Sequence, residues 1–253
     1  MKHIERVIII GASSGIGRAV AEGLAAQGVR VGIAARRIER LEALAERYGS
    51  EHIAYRAMDV TRDDATAILD ELIDEVGAPD ILLYATGIGR QNPELDVTTE
   101  LDTVATNCAG MVRIVDHFIN YTKHSTAYDA KHKAHIAVIT SVAGTMGIGV
   151  APTYSATKSM QSAYLVALSQ LARTERLPIT LGDIRPGFVA TEILNPAKHY
   201  PMMMSAQEAS RHVIRSLRRR QRVTTFDWRY RLLVALWRLI PCALWERLTV
   251  VRN

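Results

Sequence analysis

The chain has 253 residues and a mass of 28.0 kDa, with 48% hydrophobic and 23% charged residues and a mean hydropathy near zero, a balance that excludes a disordered, collagen-like or polytopic membrane protein. One α/β domain of this length buries its own core without a disulfide or metal staple, and Cys108 and Cys242 stand far apart without metal-ligand spacing, as expected of free thiols in a reducing compartment. The net charge of +5 is uneven: residues 218–253 hold nine Arg, only Asp227 and Glu246 as acids, and all three tryptophans, so a tail of +7 follows a body of −2.

In chain order, Val7-Ile8-Ile9-Ile10 is too short for a signal core and is closed by Gly11; no export signal is expected, which points to a cytoplasmic protein. Four β-branched residues in a row predict a strand buried on both faces. A helix follows on the stripe Ile16, Val20, Leu24 and stops near Gln27-Gly28. The alternation repeats, with strands predicted over 30–36, 52–60, 81–87, 135–141, 179–184 and 222–226, and helices over 38–48, 63–76, 98–123 and 154–175. Strands alternating with helices at this spacing predict right-handed βαβ units and a three-layer, doubly wound α/β fold with a mainly parallel, seven-stranded sheet. No linker or repeat divides the body, so one domain is expected over 1–226 and a separate helical tail over 227–253.

Between the first strand and its helix stands Gly11-Ala12-Ser13-Ser14-Gly15-Ile16-Gly17. Glycines here allow a tight turn, close approach of a pyrophosphate and close packing of helix on strand, while the helix N-terminus offers N–H groups to phosphate. A glycine triplet alone also fits an ordinary strand-to-helix turn. Dinucleotide sites for NAD usually end the second strand with an acid; here it ends Ala34-Ala35-Arg36-Arg37. A carboxylate there repels a 2′-phosphate whereas a guanidinium pairs with it, so the pattern favours NADP(H). The alternative is that both arginines only solvate the next helix. Asp59 is a candidate for the adenine amino group or for a helix cap near Thr61.

Ser141 precedes Tyr154-Ser155-Ala156-Thr157-Lys158 by 13 residues. Tyr154 and Lys158, at i and i+4, share a helix face. An ammonium and a cationic nicotinamide ring nearby lower a phenol toward neutral working pH, and Ser141 supplies a second hydrogen bond to a developing alkoxide. With these motifs in place, the chain resembles the short-chain dehydrogenase/reductase family, a single-domain Rossmann fold, over about residues 4–226. The resemblance rests on Gly11, Gly15 and Gly17, Asp59-Val60, Asn107, Ser141, Tyr154, Lys158, and Pro186-Gly187 with Thr191. It implies that Asn107 is the fourth member of a catalytic tetrad, holding a water that links Lys158 to solvent; otherwise Asn107 is a helix-kinking core amide. It also implies that Pro186, Gly187, Val189 and Thr191 lie along the cofactor with Ser13, Ser14, Ile16, Val60 and Gly87. Where family members commonly carry Asn-Asn-Ala-Gly, this chain has Tyr84-Ala85-Thr86-Gly87. Only the glycine is kept, and the side-chain bonds that brace the sheet centre must be replaced.

By the same resemblance, 190–207 forms a lid over the substrate. Its Pro196, Pro201 and Met202-Met203-Met204 suit a flexible apolar lining, or equally routine gap filling. In the tail, Trp228, Leu232, Leu233, Leu236, Leu239 and Ile240 fall on helical spacing with Arg229, Arg231 and Arg238 off the stripe, and Pro241 restarts a short helix through Leu244, Trp245 and Leu248. Neither run reaches the ~20 residues that span a bilayer. The tail is therefore expected to lie on an anionic membrane surface or to cover the domain or a partner, with nucleic acid a distant third. The expectations are an NADPH-dependent oxidoreductase acting on a lipophilic ketone or secondary alcohol, without a metal, as a homodimer or homotetramer. The rival from another class is a cofactor-binding protein that acts mainly through its tail.

Overall fold

The computed structural model describes residues 4–194 and 200–248. Seven strands, β1 (Arg6–Ile10), β2 (Arg30–Ala35), β3 (Ile53–Ala57), β4 (Ile81–Tyr84), β5 (Ala134–Ile139), β6 (Ile179–Pro186) and β7 (Val223–Phe226), form one sheet in the order β3-β2-β1-β4-β5-β6-β7. Every pairing is parallel. The order reverses between β1 and β4, so the loops after these two strands diverge and leave a crevice at their carboxyl ends.

One face of the sheet is covered by α3 (Ala65–Val76), α5 (Gly110–His124) and α6 (Pro152–Thr174), and the other by α1 (Gly15–Ala25), α2 (Ile38–Tyr48) and α7 (Ala206–Arg219). Alternate β1 residues go to opposite cores: Ile8 and Ile10 pack with α3 and α5, Val7 and Ile9 with α1 and α2. Both faces are therefore apolar, and the strand reads as an unbroken hydrophobic run.

The helix predicted over 98–123 is divided. α4 (Val97–Val104) leads into a π turn, Ala105–Ala109, and only then into α5. The extra residue of the wide turn redirects the following side chains without ending the helix. Its brace comes from the unusual β4 terminus: Tyr84 is fully buried and donates its hydroxyl to the carbonyl of Thr106 at 2.9 Å. Gly110 leaves room for it, since a Cβ there would stand 3.2 Å from the phenol oxygen.

After β7 come α8 (Trp228–Trp237) and α9 (Cys242–Trp245). They fold back over the carboxyl end of the sheet. Tyr230 and Val234 pack on Val142 in a small third core, Trp237 Nε1 donates to Thr145 Oγ1 at 2.9 Å, and Trp245 Nε1 donates to the Gly147 carbonyl at 2.7 Å. A single apolar stripe was expected on this segment, whereas α8 carries apolar side chains on both sides, one set buried and one exposed. Among the described residues no helix is long and apolar enough to cross a membrane.

Candidate active site

A cleft of about 730 Å³ lies at the crevice between the β1 and β4 loops and runs under α8 and α9. At its floor the β1 turn is set by Gly11, whose φ of +98° belongs to the glycine-favoured region. A Cβ on Gly11 would stand 2.6 Å from the Thr86 nitrogen, and one on Gly17 would stand 2.2 Å from the Gly11 carbonyl oxygen. These glycines hold α1 against β1 and bring bare backbone to the cleft wall. Among the described residues no side chain caps the N-terminus of α1, so its first N–H groups are open to an anion. The donor set fits a pyrophosphate.

At one end of the cleft, Arg37 donates to Ser13 Oγ at 3.2 Å and to Ser14 Oγ at 2.9 Å, which fixes its guanidinium beside the glycine loop. It also pairs with Glu192 at 2.7 Å, and Arg40 reaches the other oxygen of Glu192 at 2.5 Å. The two arginines hold that carboxyl down at about 2. Asp59 Oδ1 accepts from the Thr61 nitrogen and hydroxyl at 3.0 and 2.7 Å. Burial raises this carboxyl, but the two Thr61 bonds and the charge of Arg36 outweigh it and hold it below its ordinary range. Asp59 thus caps a local turn while also lining the cleft, and α3 begins later than the turn, at Ala65.

At the other end stand Ser141, Tyr154 and Lys158. Ser141, just past β5, caps a short 3₁₀ turn by accepting from the Ala143 nitrogen at 3.1 Å. Tyr154 lies in the first turn of α6, its ring against the backbone of Gly89, where a Cβ would come within 2.2 Å of the ring. Burial pushes the phenol up, partly offset by a hydrogen bond with Ser141. The ammonium of Lys158 sits 5.8 Å from the centre of that ring and donates to the Ile139 carbonyl and to Gln161 Oε1, both at 3.0 Å. Burial lowers Lys158 to about 8. The ammonium thus keeps two oxygen acceptors while it lies over the face of the Tyr154 ring.

Asn107, fully buried in the π turn, lies behind the cleft wall. Its side chain clamps the peptide group of Ile88: Oδ1 accepts from the Ile88 nitrogen at 2.9 Å and Nδ2 donates to the Ile88 carbonyl at 2.8 Å. Nδ2 also reaches Thr157 Oγ1 at 3.0 Å, tying the β4 loop to α6. Its main-chain carbonyl accepts from Gln161 Nε2 at 2.8 Å. Gln161, itself fully buried, therefore joins Lys158 to the Asn107 carbonyl, the path along which a water was expected. Sequence reasoning passed over Gln161, although its place three residues after Lys158 puts it on the same helix face.

The structure brings the remaining sequence candidates to this one cleft: Gly11, Ser13, Ser14, Gly15, Ile16, Gly17, Arg36, Arg37, Asp59, Val60, Gly87, Pro186, Gly187, Val189 and Thr191 all line it. Gly187 has a further use, since a Cβ there would stand 2.1 Å from the Tyr230 ring. The methionine triplet divides. Met202 lines the cleft, Met203 is exposed, and Met204 turns into the core because residues 188–190 and 204 pair as a short bridge. Only one methionine of the three is placed to meet a substrate. Pro196 lies outside the described residues.

The upper wall is apolar and aromatic. Phe188 packs on Tyr200 with ring centres 4.9 Å apart, Tyr230 donates its hydroxyl to the Pro201 carbonyl at 2.8 Å, and Leu233, Trp237, Ile240 and Trp245 complete the roof. The tail thus covers the domain, one of the two roles its sequence left open, and in doing so lines the cleft. Among the described residues no group of acidic, His and Cys side chains is placed to hold a metal.

Comparison with known proteins agrees with this geometry. A family profile described as short chain dehydrogenase matches residues 5–201. An uncharacterized oxidoreductase of Myxococcus xanthus is 27% identical over 249 residues, covering 94% of each chain. The 3-oxoacyl-(acyl-carrier-protein) reductase of Escherichia coli is 29% identical over 188 residues, covering 74% of each. A crystal structure of a short chain dehydrogenase/reductase from Burkholderia phymatum in complex with NAD shares the fold with a TM-score of 0.79 at 19% identity, covering 92% of each chain.

Proposed function

The chain belongs to the short-chain dehydrogenase family of oxidoreductases, and from that premise we propose that it is an NADP(H)-dependent enzyme that interconverts a ketone and a secondary alcohol on a lipophilic substrate. One observation carries the reading: Ser141, Tyr154 and Lys158 open onto the same cleft as the glycine loop, under an apolar and aromatic roof. A nicotinamide cofactor held along the glycine loop Gly11–Gly17 would supply or accept the hydride. Ser141 and Tyr154 hold the carbonyl oxygen through two hydrogen bonds, Tyr154 delivers the proton that makes it a hydroxyl, and Lys158 supplies positive charge beside the phenol.

The preference for NADP(H) is supported by Arg36 and Arg37 in the lining of the cleft and by Arg40, which shares Glu192 with Arg37; these guanidiniums would hold a 2′-phosphate. The Burkholderia protein holds NAD, so the arginines of this chain and not the shared fold carry that preference. The roof favours an acyl chain, a steroid-like ketone or a 3-ketoacyl thioester, the last also in keeping with the Escherichia coli relative. Self-association as a homodimer or homotetramer is supported by Val97, Leu101 and Val104 on α4 and Val166 and Leu171 on α6, all exposed on packed neighbouring helices. A cytoplasmic location completes the proposal.

The test is a screen of NADPH oxidation across keto-lipids, 3-ketoacyl thioesters and steroid ketones. Tyr154→Phe is expected to cut kcat by about 10²–10⁴-fold with the fold intact. A biological role that survives this substitution unchanged favours the rival, a cofactor-binding protein acting through its tail. Arg37→Asp is expected to weaken NADPH by about 1–3 kcal/mol while sparing NADH, and equal affinity of the unaltered protein for both cofactors overturns the preference.

A further inference from the structure

α8 advances 100° per residue, which separates its side chains into two sets. Tyr230, Leu233, Val234 and Trp237 turn toward the cleft and the small core beneath it. Trp228, Leu232, Leu236 and Leu239 fall on the opposite side and are 70, 52, 56 and 78% exposed. Leu244 beyond the α8–α9 turn is also exposed. An apolar stripe of this length on the outside of a helix whose inside is already buried is more than a helix needs to fold.

Guanidiniums flank the stripe, Arg231 and Arg238 along one side and Arg229 along the other. Arg229 is tied to Asp227, whereas Arg231 and Arg238 make no ion pair among the described residues. Residues 228–248 contain four Arg, no Lys and one acid, Glu246. Two occupants suit exposed leucines, a second copy and a lipid surface, and charge separates them. A two-fold contact sets the same patch against itself, so the arginines of one copy would confront those of the other with one acid per segment to relieve them. Anionic lipid headgroups complement the same arrangement, with leucine and tryptophan entering the acyl boundary and arginine meeting phosphate.

We propose that the outward face of α8, continued by α9, docks on the surface of a bilayer carrying anionic lipids. α8 has 10 residues and lies along the surface instead of crossing it. Its inner face roofs the cleft, so docking places the mouth of the site beside the lipid from which an apolar ketone partitions. This deepens the reading of the cleft as a site for a lipophilic substrate, but the docking is measured without turnover.

The experiment is flotation of the full chain with vesicles of phosphatidylcholine alone and of phosphatidylcholine mixed with phosphatidylglycerol. The protein is expected to float with the mixed vesicles and to be released by molar salt. Leu232→Ser with Leu236→Ser, two exposed positions that do not line the cleft, is expected to lower the bound fraction by at least about tenfold while thermal unfolding and turnover of a water-soluble ketone are unchanged. Arg231→Gln with Arg238→Gln is expected to abolish the preference for anionic vesicles. Absence of flotation, or equal flotation of the wild type and the double serine variant, overturns the proposal. So does sedimentation velocity showing an oligomer that the double serine variant dissociates, with no vesicle binding, since the face then joins copies of the chain. Flotation without turnover on any ketone of the screen leaves docking standing and removes the reading of the cleft.

Discussion

Lys158 has two oxygen acceptors, the Ile139 carbonyl and Gln161 Oε1, and their effect on its charge is testable. Burial lowers the ammonium to about 8, and a bond to a neutral amide oxygen favours the charged form. Gln161→Leu removes that acceptor, so the lysine loses its proton at lower pH. If the charged form supports turnover, the alkaline limb of the kcat/KM profile is expected to move down by about one pH unit. Gln161→Glu puts a carboxylate in the same place and is expected to move the limb up. A residue that only fills space would not give shifts of opposite sign, and two profiles with unshifted limbs count against the coupling. Tyr154, Lys158 and Ser141 were legible in the sequence because their spacing, after a strand and along a helix, dictates proximity. Gln161 was not singled out because a polar residue in a long helix reads as solvent-facing until the opposing π turn is known to bury it.

At the scale of elements, the π turn between α4 and α5 is what carries Asn107 to the Ile88 peptide. The hydrophobic pattern ran through this region as one helix, since a single extra residue in a turn barely disturbs a 3.6-residue period. The replacement brace was foreshadowed in the sequence by the missing Asn-Asn pair, but not its identity: Tyr84 spans from the sheet to the Thr106 carbonyl. Tyr84→Phe keeps the ring and leaves that carbonyl unpaired in the core. It is expected to cost about 1–3 kcal/mol in urea unfolding and to lower kcat with little change in KM, because the loosened turn positions Asn107 and the β4 loop and not the apolar roof. A loss below about 0.5 kcal/mol would show that the carbonyl finds another donor. The tail was half legible for a related reason. Helical spacing located α8 and α9, but both faces of α8 are apolar, and periodicity alone does not tell which set is buried.

For the molecule as a whole, the alternation of short apolar runs and amphipathic helices was enough to anticipate the parallel sheet, since strands buried on both faces and joined by right-handed crossovers leave few other solutions. The same burial creates a pH liability at the sheet centre. His135 on β5 is 1% exposed, shares a hydrogen bond between Nδ1 and Thr180 Oγ1 at 2.9 Å, and has no partner at Nε2 among the described residues. Burial, with the charge of Arg220 adding to it, lowers the imidazole from 6.5 to about 3. Between these values the unfolded chain binds a proton that the folded chain refuses, so stability falls as pH drops below 6.5 and the loss is complete only near 3. At pH 5 this amounts to about 2 kcal/mol relative to neutral pH, at 1.36 kcal/mol per unit. Chemical unfolding at pH 7.5 and pH 5 checks it: the wild type is expected to lose stability between the two, and His135→Leu to lose about 2 kcal/mol less, whatever its stability at neutral pH. Equal losses in both proteins would assign the acid sensitivity to other groups and make His135 a mere packing residue beside Gly182.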